Sequence, residues 1–158
     1  MRSKRAKLRD IATDPKYGST KVARLINGVM RSGKKTAAQK QVYAALEQAA
    51  DQANQPPLQL LDRVIEIITP QMEVRSRRVG GASYQVPMPI RGHRGFSLAV
   101  RWLVLEANKR PSRQYHSFAD KLAAEMLDIL REQGGAIDKR NTSHRMAEAN
   151  KAFSHFRW

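Results

Sequence analysis

A chain of 158 residues with 29 Lys and Arg against 14 Asp and Glu carries a formal charge of +15, an excess that speaks about partners rather than fold, and its length suits one domain. It contains no cysteine, which excludes disulfides and thiolate metal sites, and no apolar run approaches the ~20 residues of a membrane span. Nucleic acid is the anionic partner this composition favours, ahead of an acidic protein or a membrane surface. The basic opening MRSKRAKLRDIA lacks the apolar stretch of a secretory signal.

Residues 1–19 read as an extended basic arm. Arg2, Lys4, Arg5, Lys7 and Arg9 crowd its start, and Asp14-Pro15 with Gly18 interrupt any helix. Such an arm is ordered by a polyanion rather than by itself. The remainder, 20–158, reads as one helical, nucleic-acid-binding domain. Thr20 is the expected N-cap of a first helix over 20–31, where Val22, Leu25, Ile26, Val29 and Met30 recur at helical spacing. After the basic loop Arg31–Lys35, an alanine-rich helix spans 36–53. Pro56-Pro57 opens a third helix with Leu58, Leu61, Val64, Ile65 and Ile68 as its apolar stripe.

Residues 72–79 and 84–90 read as two strands of a hairpin, joined at Gly80-Gly81-Ala82-Ser83. Tyr84, Val86, Met88 and Ile90 alternate strictly. A fourth helix is expected over 96–109, with Ala99, Trp102, Leu103 and Leu105 toward its apolar side. A fifth runs over 117–133, ended by Gly134-Gly135. A sixth, polar and basic, covers about 142–151. The expected architecture is therefore mainly α: about six helices, a protruding two-stranded hairpin at 72–90 and the basic arm.

The hairpin carries the most specific signal. Seven residues per strand give a ribbon about 23 Å long, marginal in water unless docked. Pro87 and Pro89 are two apart, so both missing N–H groups fall on one edge, which cannot template a further strand. From Val74 through Leu105 there is no Asp or Glu, yet Arg75, Arg77, Arg78, Arg91, Arg94 and Arg101 all fall there. A solvated hairpin ordinarily mixes signs, whereas unbalanced guanidinium groups suit phosphate oxygens. Such a ribbon fits a DNA groove or a folded RNA surface. Tyr84 reads equally as a base-stacking platform and as packing for the hairpin.

Catalytic signals are weak. Gly28–Lys34 spells G-x-x-x-x-G-K, but Lys35 stands where a P-loop needs Ser or Thr, and a helix precedes it instead of a strand. His93, His116, His144 and His155 show no metal-ligand spacing. Glu125 with Asp128, and Asp62 with Glu66, read as acids on exposed helix faces. No catalytic residue, metal ligand or cofactor is expected, and the reading is non-enzymatic. Two rivals stay open on the residues alone: an architectural DNA-binding protein using its basic ribbon as an arm, and a small ribonuclease.

Five segments carry a family resemblance: DPKYGS at 14–19, GKKTAAQKQVYAALE at 33–47, EVRSRRVGGASYQVPMPIR at 73–91, LAVRWL at 98–103 and HRMAEANKAFSHFRW at 144–158. In this order, and over nearly the whole chain, they resemble small-subunit ribosomal protein seven in its bacterial or organellar form. The resemblance implies a helical fold with a β-hairpin. It also implies a primary binder of the 3′ major domain of small-subunit rRNA that nucleates head assembly. Further implications are exit-site tRNA and the mRNA path close by, ribosomal proteins nine and eleven as neighbours, and a cytoplasmic or organellar ribosome as location. By motif it assigns RNA contacts to the N-terminal arm, Lys34, Lys35, the hairpin arginines and the Arg91–Arg101 segment. Lys109, Arg110, Arg113, Arg145, Lys151, Arg157 and Trp158 complete the expected RNA-binding set. The chain departs from the family at Gly92, His93 and Gly95, where members commonly carry a proline and a denser arginine cluster.

Overall fold

Part of the stretch read as a free arm is docked on the helices. The computed structural model describes residues 10–156, so Arg2, Lys4, Arg5, Lys7, Arg9, Arg157 and Trp158 lie outside the described residues. Asp14 is buried. Its carboxylate accepts from the backbone N–H groups of Lys16 and Tyr17 at 3.2 and 3.1 Å and from the Tyr43 hydroxyl at 2.6 Å. The Tyr17 ring meets Tyr43 edge-on at 5.7 Å, and Lys16 pairs with Glu47. Burial, and then the hydrogen bond to Asp14, push the Tyr43 hydroxyl up to about 12. DPKYGS is thus a turn docked on the second helix. We expect Asp14→Ala to lower unfolding free energy by about 1.5–3 kcal/mol, because three donors lose a charged acceptor. Urea unfolding measures this, and an unchanged midpoint would contradict the docking.

Ser19, not Thr20, caps the first helix: its hydroxyl accepts from Lys21 N–H, and α1 spans Thr20–Val29. The threonine sits one position inside because Ser19 has the extended backbone a cap needs. α2 covers Lys35–Ala53 and α3 covers Pro57–Ile68. In α3 the buried stripe is Leu60, Leu61, Val64, Ile65 and Ile68. Leu58, expected inside, is exposed, since it lies in the first turn, before the helix reaches the core.

The strands are β1, Met72–Val79, and β2, Ala82–Pro89, antiparallel with Val79 opposite Ala82. The connection is shorter than expected: only Gly80 and Gly81 form the turn, both with positive φ (57° and 89°). Two left-handed residues in succession define the tight hairpin turn whose twist matches the strands, and glycine takes that backbone without a Cβ penalty. Ile90 N–H donates to Gln71 carbonyl at 3.0 Å, so Pro89 and Pro87, in the alternating register, turn their nitrogens away from β1, as their spacing suggested.

α4 spans Gly92–Lys109, four residues more at its start than the pattern indicated. Gly92 and Gly95, which lie before the expected start, are both helical. α5 covers Phe118–Leu130 behind a full capping box in which Ser117 and Asp120 bond reciprocally. α6 covers Gly135–Ala149, far longer than expected, with Ala136 and Ile137 buried. Gly134 caps its start instead of merely ending α5. A 3-10 turn, Lys151–Phe156, follows.

α5 packs against α2, α3 and α4, and α1 lies across α2 and α4. Leu25, Ile26, Val42, Leu46, Leu61, Leu103, Leu122 and Met126 are fully buried in one cluster. Each such side chain contributes about 1.5–3 kcal/mol of burial, which makes this bundle the rigid platform. The hairpin is anchored to it from the side. α6 reaches the α3–β1 connection with three hydrogen bonds: Arg140 to Ile67 carbonyl, Ser143 to Met72 carbonyl, and His144 Nε2 accepting from Gln71 N–H. Tyr84 on β2 lies against Phe153 and Phe156 of the 3-10 turn, with ring centroids 5.3 Å apart in each pair. Of the two readings of Tyr84, these contacts supply the packing one: the ring links the hairpin to the 3-10 turn.

Candidate nucleic-acid interface

Six carboxylates take six cations in seven ion pairs among the described residues: Lys16 with Glu47, Lys21 with Asp62, Arg75 and Arg94 with Glu73, Lys109 with Glu106, and Arg110 with Glu125 and Asp128. What these pairs leave over is informative. Lys34, Lys35, Arg77, Arg78, Arg91, Arg101, Arg113, Arg145 and Lys151 are exposed and have no ion-pair partner among the described residues.

Arg110 is corrected outright. It caps α4, but its side chain turns inward and is only 15% exposed, bonded to Glu125 at 2.7 Å, to Asp128 and to the Tyr115 hydroxyl at 3.1 Å. Burial depresses its pKa, yet the two carboxylates outweigh that and hold it above the ordinary guanidinium value. It is a core ion, spent on structure. The acids read as solvent-facing are corrected with it: Glu125 is buried, and its other oxygen accepts from Ala136 N–H. Asp62 and Glu66 are exposed as expected. Tyr84 is half-buried, with Phe153 and Phe156 against its ring.

The hairpin arginines divide. By strand parity Arg75 and Arg77 share one face and Arg78 takes the other. Arg77 and Arg78 stand near the Gly80-Gly81 tip, exposed on a segment without a carboxylate. Arg75 and Arg94 converge on buried Glu73 at the hairpin's base. Burial pushes the Glu73 carboxyl up, but bonds from Arg94 and Arg75 prevail and hold it below the usual carboxylate range. A depressed folded value means that its contribution to stability is present above the unfolded pKa and disappears as pH falls through the folded one.

Beyond Arg91 the surface opens into a groove of about 1240 Å³ between α1 and α4. Phe96, Val100 and Val104 line its floor, Arg24, Arg31, Arg101 and Lys109 its sides, and Asp10 is its one acid. Gly28 and Val100 both line the groove, and a Cβ at Gly28 would sit 2.9 Å from Val100 Cγ1, so α1 and α4 approach closely at this point. Arg24 lies over the Phe96 ring at 5.4 Å, and Arg31 donates to Asn108 at 3.2 Å. Sequence reasoning missed Arg24 and left Arg31 as an ordinary loop residue. The available signal was the spacing of Arg24, Asn27, Gly28 and Arg31 at i, i+3, i+4 and i+7, running from α1 into the loop after it, apart from the apolar set Val22, Leu25 and Ile26.

The G-x-x-x-x-G-K match dissolves in the fold: Gly28 is helical, no strand precedes it among the described residues, and Lys34 and Lys35 are exposed at the start of α2. Among the described residues no cluster of three or more His, Asp or Glu is placed to hold a metal, and no helix is long and apolar enough to cross a membrane.

A packed helical platform that leaves arginines and lysines unneutralised along a hairpin and a groove has the surface of a nucleic-acid-binding protein. The sequence profile of the family Ribosomal protein S7p/S5e matches residues 1–151, and the chain belongs to that family. It is 52% identical over 151 residues to small ribosomal subunit protein uS7B of Aquifex aeolicus, covering 95% of this chain and 94% of the relative. It is 49% identical over 150 residues to uS7 of Geotalea uraniireducens, again 95% and 94%. With uS7 of Xanthobacter autotrophicus it shares 46% over 157 residues, 99% of each chain. The family resemblance drawn from the motifs is therefore correct: this is a ribosomal protein of the small subunit, a ribonucleoprotein component of translation.

Proposed function

We propose that the protein is a primary binder of the 3′ major domain of small-subunit rRNA and nucleates assembly of the subunit head. In that position its hairpin lies near the exit-site tRNA and the mRNA path, with ribosomal proteins nine and eleven as neighbours. The observation that carries this reading is the run of unpaired cations from Arg77 and Arg78 through Arg91 to Arg101 and the α1–α4 groove. Lys34 and Lys35 extend it past the mouth of α2, and the expected arm contacts at Arg2, Lys4, Arg5, Lys7 and Arg9 belong to the same reading. Phosphate contacts set affinity, and the fit of groove plus hairpin to one folded junction sets specificity.

The test is a filter-binding titration of a transcribed 3′ major-domain fragment against duplex DNA of equal length, between 50 and 200 mM salt. Preferential binding of the fragment is expected, with affinity falling by about 10³–10⁵ across that range if 6–10 phosphates are engaged on the duplex scale. Equal competition by duplex DNA would favour an architectural DNA-binding role instead. Cleavage of the fragment, lost when a histidine is replaced, would favour a ribonuclease.

A further inference from the structure

Glu73 is an anomaly in a binding surface built from cations. It is the last acid before the carboxylate-free stretch 74–105, and its side chain is only 10% exposed. A surface tuned for attraction alone gains nothing from a carboxylate between two arginines. Its geometry shows what it does. Arg75 spends Nε and Nη2 on Glu73 Oε1, both at 2.6 Å. Arg94 spends only Nε, on Oε1 at 2.9 Å and Oε2 at 2.8 Å. Both arginine side chains remain about half exposed. Arg75 Nη1 and both terminal nitrogens of Arg94 have no protein partner among the described residues.

We propose that Glu73 is a positioning residue that fixes the guanidinium groups of Arg75 and Arg94 side by side as a two-armed fork for an RNA backbone phosphate. This rests on the rRNA-binding reading and specifies one of its contacts. Arg75 comes from β1 and Arg94 from the first turn of α4, so the two side chains reach the carboxylate from different elements. One buried carboxylate joins them and leaves a net charge of +1 with outward-directed N–H donors. Planar forks match phosphate oxygens bidentately. Without the carboxylate, two like charges repel and each long side chain regains its rotamers, a freedom that must be lost again on binding.

The proposal makes a prediction of unusual sign. Glu73→Gln raises the protein's net charge by one, so a purely electrostatic surface binds every RNA more tightly. The fork predicts about a tenfold loss of affinity for the 3′ major-domain fragment, with binding to poly(U) unchanged or strengthened. Both titrations are run at the same salt, on protein whose folding is checked by circular dichroism. Equal or tighter fragment binding by Glu73→Gln overturns the proposal. Should that variant not fold, Arg94→Lys decides: it keeps the net charge and a cation beside Glu73 but removes the planar fork, and about a tenfold loss is again expected. Wild-type affinity there overturns the proposal as well. A wild-type protein with no preference for the fragment over poly(U) fails earlier, at the rRNA reading itself, and takes the fork with it.

Discussion

Replacing Arg110 with leucine is expected to lower unfolding free energy by about 3–5 kcal/mol, the range found when one partner of a buried ion pair is removed. The side chain leaves α4 at its C-cap and reaches two carboxylates on α5. One of them, Glu125, is 3% exposed and also accepts from the start of α6. Three helices therefore meet on a single guanidinium–carboxylate cluster. Leucine replaces the stem but strands a buried negative charge against apolar neighbours. At roughly 2–4 °C per kcal/mol for a domain of this size, the melting temperature falls by about 6–20 °C. Thermal unfolding followed by circular dichroism measures it. The double variant Arg110→Leu with Glu125→Leu should recover most of the loss, because an apolar pair of similar volume often matches a buried ion pair. RNA binding supplies the cross-check. Measured where both proteins are folded, the salt slope of the Arg110 variant should equal that of wild type. A variant that melts normally and loses RNA affinity would reinstate Arg110 as a contact.

Arg110 also shows where the sequence stops being legible. Its partners stand 15 and 18 positions away, and nothing local distinguishes it from Arg113, which stays in solvent. Pairing among charges is decided by tertiary approach, as with Lys21 and Asp62, 41 apart. Net charge and the acid-free stretch located the basic surface correctly, while the identity of its unpaired members needed the fold. Elements with a strong period were readable: α1 and α3 through their apolar stripes, and β2 through its alternation. Those that failed had little period to read. α6 carries few apolar residues in its first turns beyond Ala136 and Ile137, so Gly134-Gly135 looked like an ending when Gly134 is a cap. The start of α4 was hidden by Gly92 and Gly95, poor helix formers held there by context. A Cβ on Gly95 would meet Thr69 Cγ2 at 2.9 Å, a close approach invisible along the chain.

The groove gives the second large effect. Changing Arg24, Arg31 and Arg101 together to glutamine should reduce the salt slope of fragment binding by about 3, near one unit for each phosphate no longer neutralised. The same relation converts three phosphates at about 0.15 M salt into roughly a hundredfold weaker binding. Changing Arg77 and Arg78 should reduce the slope by about 2, and the two sets should combine additively because they lie on separate elements with no shared partner. Stability separates this result from that for Arg110. None of the three groove arginines holds an ion pair among the described residues. Their substitution removes a cation–π interaction with Phe96 and one hydrogen bond to Asn108, together about 1–2 kcal/mol, partly offset by relief of repulsion in a protein of charge +15. A groove variant that keeps the wild-type slope would show that the RNA backbone does not enter between α1 and α4. A variant that loses affinity while keeping the slope would assign these arginines to shape rather than to phosphate neutralisation, since only released counterions make binding depend on salt.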